Sequence, residues 1–141
     1  MNYRLNIKCV DGPFLREPCT RVVCMEDSSS LLELHVMVQE AVSFDDDHLF
    51  DFYTANSGSP WAEKRRFSLD EDWEQRVADF ERIQLREIWP LGRKKLYYVF
   101  DLGDHWLFEV RKLRSRKADA SLDPRQIVER IGPNPEQYPV L

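Results

Sequence analysis

Apolar and polar side chains alternate from the first residues of this chain. Tyr3, Leu5, Ile7 and Cys9 are interleaved with Asn2, Arg4, Asn6 and Lys8, the period of a half-buried strand. Asp11-Gly12-Pro13 marks a turn. Thr20 to Met25 is apolar and β-branched and predicts a second strand, antiparallel to the first. The period then changes. Leu31, Leu34, Val38 and Val42 recur at helical spacing behind Ser30, and Glu33 follows that serine by three residues. This is a capping-box pattern, and it predicts a helix over about 30–42.

Phe44-Asp45-Asp46-Asp47 ends the helix, and His48 to Tyr53 returns to strand alternation. The polar, glycine-containing stretch 54–66 predicts a loop. Leu69 to Phe80 suits either a short acidic helix or an excursion with little structure. Ile83 to Trp89 predicts a short strand ended by Pro90 and Gly92. Leu96–Phe100 and Trp106–Leu113 predict a hairpin. Asp123-Pro124 places a cap before a first-turn proline, and Ile127, Val128 and Ile131 supply an apolar stripe, so a last helix is expected, stopped by Gly132. The three prolines of the tail predict an extended end. Together these elements predict one domain, 1–141, of the α+β class: a mixed or mainly antiparallel sheet, one long helix packed across it in a β-grasp-like first half, and a C-terminal helix.

Composition narrows the function classes. Hydrophobic residues make up 43% of the chain, enough for a real core without staples. The net charge is −5, which argues against a generally basic nucleic-acid binder while leaving local basic patches open. Three cysteines, Cys9, Cys19 and Cys24, match no zinc spacing and read as reduced, partly buried thiols. No apolar run approaches a membrane span and the first ten residues are not a signal peptide, so no membrane association and a cytoplasmic location are expected.

The densest chemistry lies at the hairpin turn, Tyr97 to Val110, where Asp101, Asp104, His105 and Glu109 surround Gly103 and Trp106. A carboxylate pair beside an imidazole suits a divalent cation or proton transfer. The same residues also suit a turn in which Asp104 caps backbone N–H groups, Gly103 takes the special conformation and Trp106 fills the core. Asp45-Asp46-Asp47-His48 is a second acidic turn without the spacing of a calcium loop. If the two turns meet, Asp45, Asp46, Asp47, His48, Asp101, Asp104, His105 and Trp106 form one binding rim. His35 reads as a packed or surface histidine. Neither a nucleophile elbow nor a glycine-rich phosphate loop is present. Tyr53, Trp61, Trp73, Trp89 and Trp106 either fill the core or line a groove for a peptide.

Three segments in order resemble a known family. They are Leu34-His35 to Phe52, the Tyr97-to-Trp106 turn with its Asp-x-Gly-Asp-x-Trp pattern, and Pro124-Arg125 to Pro139. Together they resemble the plasmid pRiA4b ORF-3-like proteins, the passenger proteins of an insertion element. The resemblance spans about 3–139 and implies an α+β fold, an uncharacterised activity and an association with mobile elements and recombination. The chain departs from it at Phe108, where many members carry a histidine, and at His105, where an acidic residue is common.

Arg111, Lys112, Arg114, Arg116 and Lys117 place five cations in seven residues. With Lys64-Arg65-Arg66 and Arg93-Lys94-Lys95 they are candidates for contact with phosphates. The expected function is a non-enzymatic binding or interaction module with a protein or peptide partner, without cofactor or metal. The alternatives are a nucleic-acid-associated protein of a mobile element or plasmid and, less well supported, a metal-dependent enzyme at the acidic turns.

Overall fold

The computed structural model describes residues 1–139. Seven strands and two helices follow in the order β1 (Asn2–Asp11), β2 (Cys19–Glu26), α1 (Leu31–Val42), β3 (Phe50–Ala55), β4 (Arg65–Arg66), α2 (Trp73–Arg82), β5 (Lys95–Phe100), β6 (Trp106–Lys112) and β7 (Gln126–Ile131). One sheet holds all seven strands in the order β4-β3-β5-β6-β1-β2-β7. Every pairing is antiparallel.

The sheet takes the antiparallel of the two expected alternatives. The expected architecture is corrected in three respects. β3 pairs with β5 and β4, not beside the β1–β2 hairpin, so the first half is not a β-grasp. No single long helix crosses the sheet. Twelve helical residues extend only about 18 Å, whereas seven strands span about 29 Å. Two short helices therefore share one face. Finally, the expected C-terminal helix is strand β7, hydrogen-bonded along β2. Ile127, Val128 and Ile131 fit either period over so short a run. Their branched side chains and the open edge of β2 decide for the strand.

Smaller differences have local causes. The strand expected at 83–89 is a 3-10 turn, Leu85–Glu87. It docks on the start of α1, where Leu31 N–H donates to Ile83 O at 3.0 Å and Leu85 N–H to Ser29 O at 2.8 Å. Ser30 caps α1 as expected, accepting from the Glu33 N–H at 3.1 Å. The third strand starts at Phe50, so His48 and Leu49 belong to the preceding turn. Residues 73–82 take the helical alternative, and the 54–66 loop contains β4.

The helix-covered face carries the main core. Leu5, Ile7, Val23, Phe52, Tyr98, Phe100 and Phe108 meet Leu34 and Val38 of α1 and Phe80 of α2. The opposite face holds a smaller cluster of Tyr53, Ala55, Tyr97, Val99 and Leu107, with Ala62 of the β3–β4 loop against it. Cys9, Cys19 and Cys24 are buried and unpaired.

Two polar devices tie α1 to the sheet. Arg21 stands opposite Ile7 in the β1–β2 register, so its side chain falls on the core face. It is 1% exposed. Its guanidinium donates to Ala41 O at 2.9 Å, Thr20 O at 2.9 Å, Ile131 O at 3.1 Å and Asn134 Oδ1 at 2.7 Å. None of these acceptors is a carboxylate. The charge is offset by carbonyl dipoles, including the negative end of α1. Arg130 also donates to Ala41 O, at 2.9 Å.

The second device is a closed circuit. The Asp46 N–H donates to Gln39 Oε1 at 3.0 Å, which fixes the amide. Gln39 Nε2 then donates to Tyr98 Oη at 3.0 Å. The Tyr98 hydroxyl proton is thereby left for His35 Nδ1, 2.5 Å away. His35 carries its own proton on Nε2 and donates it to Asp46 Oδ1 at 2.7 Å. His35 also stacks on Phe50, with ring centroids 3.6 Å apart. Burial holds its pKa below the ordinary value, although Asp46 pulls the other way.

Two outcomes test these devices. Arg21→Met strips a donor from several buried acceptors and is expected to lose about 2–4 kcal/mol in urea unfolding; a loss under about 1 kcal/mol refutes the bracing role. His35 is neutral in the folded protein, with its pKa lowered relative to an unfolded value of about 6.5. Its contribution is therefore complete above that pH and falls away as the pH drops below it. Wild type should lose stability between pH 7 and pH 5 faster than His35→Gln, by up to about 1.4 kcal/mol per pH unit. Parallel slopes for the two proteins would contradict a buried neutral imidazole.

Candidate functional site

The two acidic turns meet. Asp101 follows β5 with φ 62° and His105 precedes β6 with φ 61°, so these residues, not Gly103, take the left-handed conformations of the turn. Asp101 also does the capping expected of Asp104. Its Oδ1 accepts the N–H groups of Gly103 and Asp104, both at 3.1 Å. Its Oδ2 lies 3.3 Å from His48 Nε2.

His48 connects this turn to the Asp45–Asp47 turn and to the tail. Its Nε2 is 2.7 Å from Tyr138 Oη. The Tyr138 hydroxyl donates to Asp47 Oδ2 at 2.6 Å, so it accepts from His48. Gln137 Nε2 donates to Asp47 Oδ1 at 2.9 Å, while Gln137 Oε1 accepts the Asp45 N–H at 2.9 Å. The Tyr138 bond, foremost, holds the Asp47 carboxyl below its usual range. The same bond pushes Tyr138 up to about 12.

Asp45, Asp46, Asp47, His48 and Asp101 thus gather in one region, with Asp104 and His105 exposed on the adjoining turn. Trp106 is not on the rim. It is fully buried, packed on Phe44 with centroids 5.1 Å apart, beneath Gly12, where any Cβ would strike its ring at 2.1 Å. Gln137 and Tyr138 are the members absent from the sequence-based set, although they lie in the closing segment that carried the resemblance. The carboxylates of Asp46, Asp47 and Asp101 are engaged by this chain's own donors. Among the described residues, no group of three or more His, Cys, Asp or Glu is placed to hold a metal ion.

The basic run divides. Arg116 Nε lies 4.0 Å from Asp119 Oδ1, and Arg116 and Lys117 border a hollow with Met1 and Asn2. Arg111 and Lys112 instead join Lys94 and Arg93 around a depression of about 270 Å³ based on Trp89 and Leu91. Leu91 also borders a depression of about 320 Å³ that includes Arg65 and Arg66. Three basic segments, far apart in sequence, therefore meet at one end of the sheet. They do so because β3 ends, β5 begins and β6 ends there, with Ala55 opposite Lys95 and Leu96 opposite Val110. Arg93, Lys94 and Arg111 are exposed. Partial neutralisation comes from Glu109, whose Oε1 is 3.8 Å from Lys95 Nζ and 3.7 Å from Arg111 Nε, and from Asp51, 2.8 Å from Arg66 Nε.

Among the described residues, no helix is long and apolar enough to cross a membrane. The fold is similar to the crystal structure of a protein of unknown function, MM3350 from Methanosarcina mazei Go1, with a TM-score of 0.58 and 20% identity over 82% of this chain and 62% of that one. An uncharacterized protein, y4hQ, from Sinorhizobium fredii (strain NBRC 101917 / NGR234) is 28% identical over 96 residues, 67% of this chain and 45% of that protein. The chain thus spans less than half of that relative's length. Residues 3–136 match the profile of the plasmid pRiA4b ORF-3-like proteins, and the chain belongs to that family.

Proposed function

We propose that this domain is a non-enzymatic binding module whose ligand is nucleic acid, held by its phosphates at the basic end of the sheet. The observation that carries the reading is the convergence of Arg65–Arg66, Arg93–Lys95 and Arg111–Lys112 around Leu91. Clustered cations on a chain of net charge −5 concentrate potential locally, and a phosphate backbone is the ligand that local positive potential favours. The family name ties its members to a plasmid, a setting with nucleic acid at hand and consistent with a mobile-element association. The acidic rim supports the reading indirectly. Its Asp46, Asp47 and Asp101 carboxylates brace the turns and the tail, whereas Arg93 and Lys94 stand exposed at the basic end.

Binding of a labelled oligonucleotide at several salt concentrations tests this. Replacing Arg93, Lys94 and Arg111 together by alanine should weaken binding on the order of tenfold or more at low salt and reduce the slope of log K against log salt by about 2. Replacing Arg114, Arg116 and Lys117 should leave affinity within about twofold. Equal losses in the two variants would assign the affinity to overall charge and reject the basic end as the site.

A further inference from the structure

The basic end has a second feature that phosphate contact alone does not use. Trp89 borders two depressions, together with Leu91, Gly92 and Lys112. One is the hollow of about 270 Å³ with Arg93, Lys94 and Arg111. The other, of about 430 Å³, is bounded by Tyr3, Pro90 and Lys112. The indole is only partly buried, and Tyr3 meets it edge to face at 6.3 Å. Lys112 borders both hollows and lies over the Tyr3 ring, 4.8 Å from its centroid. Gly92, at φ 64° with open space where a Cβ would stand, turns the chain where Arg93 and Lys94 join Trp89 around the same hollow.

We infer that this site takes single-stranded nucleic acid, with a base seated against the Trp89 indole and the flanking phosphates on Arg93, Lys94, Arg111 and Lys112. The inference rests on the nucleic-acid reading above and specifies the form of the ligand. An aromatic ring beside a cationic track is the arrangement that binds unpaired bases without regard to sequence, because every base offers a π-face. A duplex keeps its bases stacked inside and presents only edges and phosphates. Entering its major groove takes a helix or a two-stranded ribbon. Here both helices contribute their buried side chains to the core on one sheet face, and the hollows lie beside the Trp89–Gly92 loop.

The test uses the full chain with a short oligo-dT strand and, separately, the same length of duplex DNA and a mononucleotide. Wild type should bind the strand more tightly than the duplex, with quenching of tryptophan emission, and should bind the mononucleotide far more weakly. Trp89→Leu should cost about 5- to 150-fold in strand affinity with an unchanged salt slope, because no phosphate contact is lost. Trp89→Phe keeps a ring and should retain most of the affinity while losing the quench. That variant decides the matter if Trp89→Leu proves unfolded by circular dichroism. Duplex bound as tightly as the strand, or quenching that persists in Trp89→Phe, would overturn the single-strand inference and leave the phosphate reading standing. Failure of wild type to bind any of the three would overturn both.

Discussion

A buried guanidinium without a carboxylate partner organises one whole side of this molecule. Arg21 reaches from β2 to the last turn of α1, to the end of β7 and to Asn134 in the tail. A methylene chain ending in a planar fork of five donors is the only side chain suited to so many divergent acceptors. Once it has joined helix, strand and tail, the path of the tail follows. Gly132, at φ 81°, passes so close to Pro18 that a Cβ would sit 1.9 Å from the carbonyl oxygen. Asn134 then reaches Ser43, and Gln137 and Tyr138 arrive at Asp47 and His48. The acidic turn is gripped from both sides, by the tail outside and by the His35–Tyr98–Gln39 circuit beneath.

That arrangement assigns opposite tasks to the two signs of charge. Three carboxylates near the turns, Asp46, Asp47 and Asp101, accept from backbone N–H groups, an amide, a hydroxyl and imidazoles, and their negative charge is taken up within the fold. Several of the cations at the far end have no such duty. A chain that is acidic overall therefore still offers a local positive surface. Net charge describes the average field, while recognition depends on which charges remain unclaimed.

Much of this was legible in the sequence where a local rule was sufficient. Alternation located β1, the Ser30–Glu33 pair located the start of α1, and the glycine-bearing turn located the β5–β6 hairpin. What was not legible depended on partners. Residues 126–131 carry an apolar spacing that a helix and a strand share, and only the unfilled edge of β2 distinguishes them. The capping role fell to Asp101 rather than Asp104 because Asp101 itself adopts positive φ, which is fixed by closure of the hairpin. Trp106 had the composition of a binding residue, and only its place beneath Gly12 shows it to be core. The convergence of three basic segments on Leu91 follows from strand order, which no local pattern encodes.

Strand order also bears on the route by which the chain reaches this state. β1 is an interior strand, and one of its two neighbours, β6, is contributed by residues near the other end of the sequence, with Asn6 opposite Arg111. The β1–β2 hairpin can form early, but its remaining edge stays bare until β5 and β6 are available. Loop closure of that length carries its entropy cost before any contact compensates it, which places such topologies among the slower folders. During that interval the alternating face of Leu5, Ile7 and Cys9 is exposed beside unpaired backbone groups. A chain emerging from the ribosome therefore passes through a period in which its first strand is its most adhesive segment.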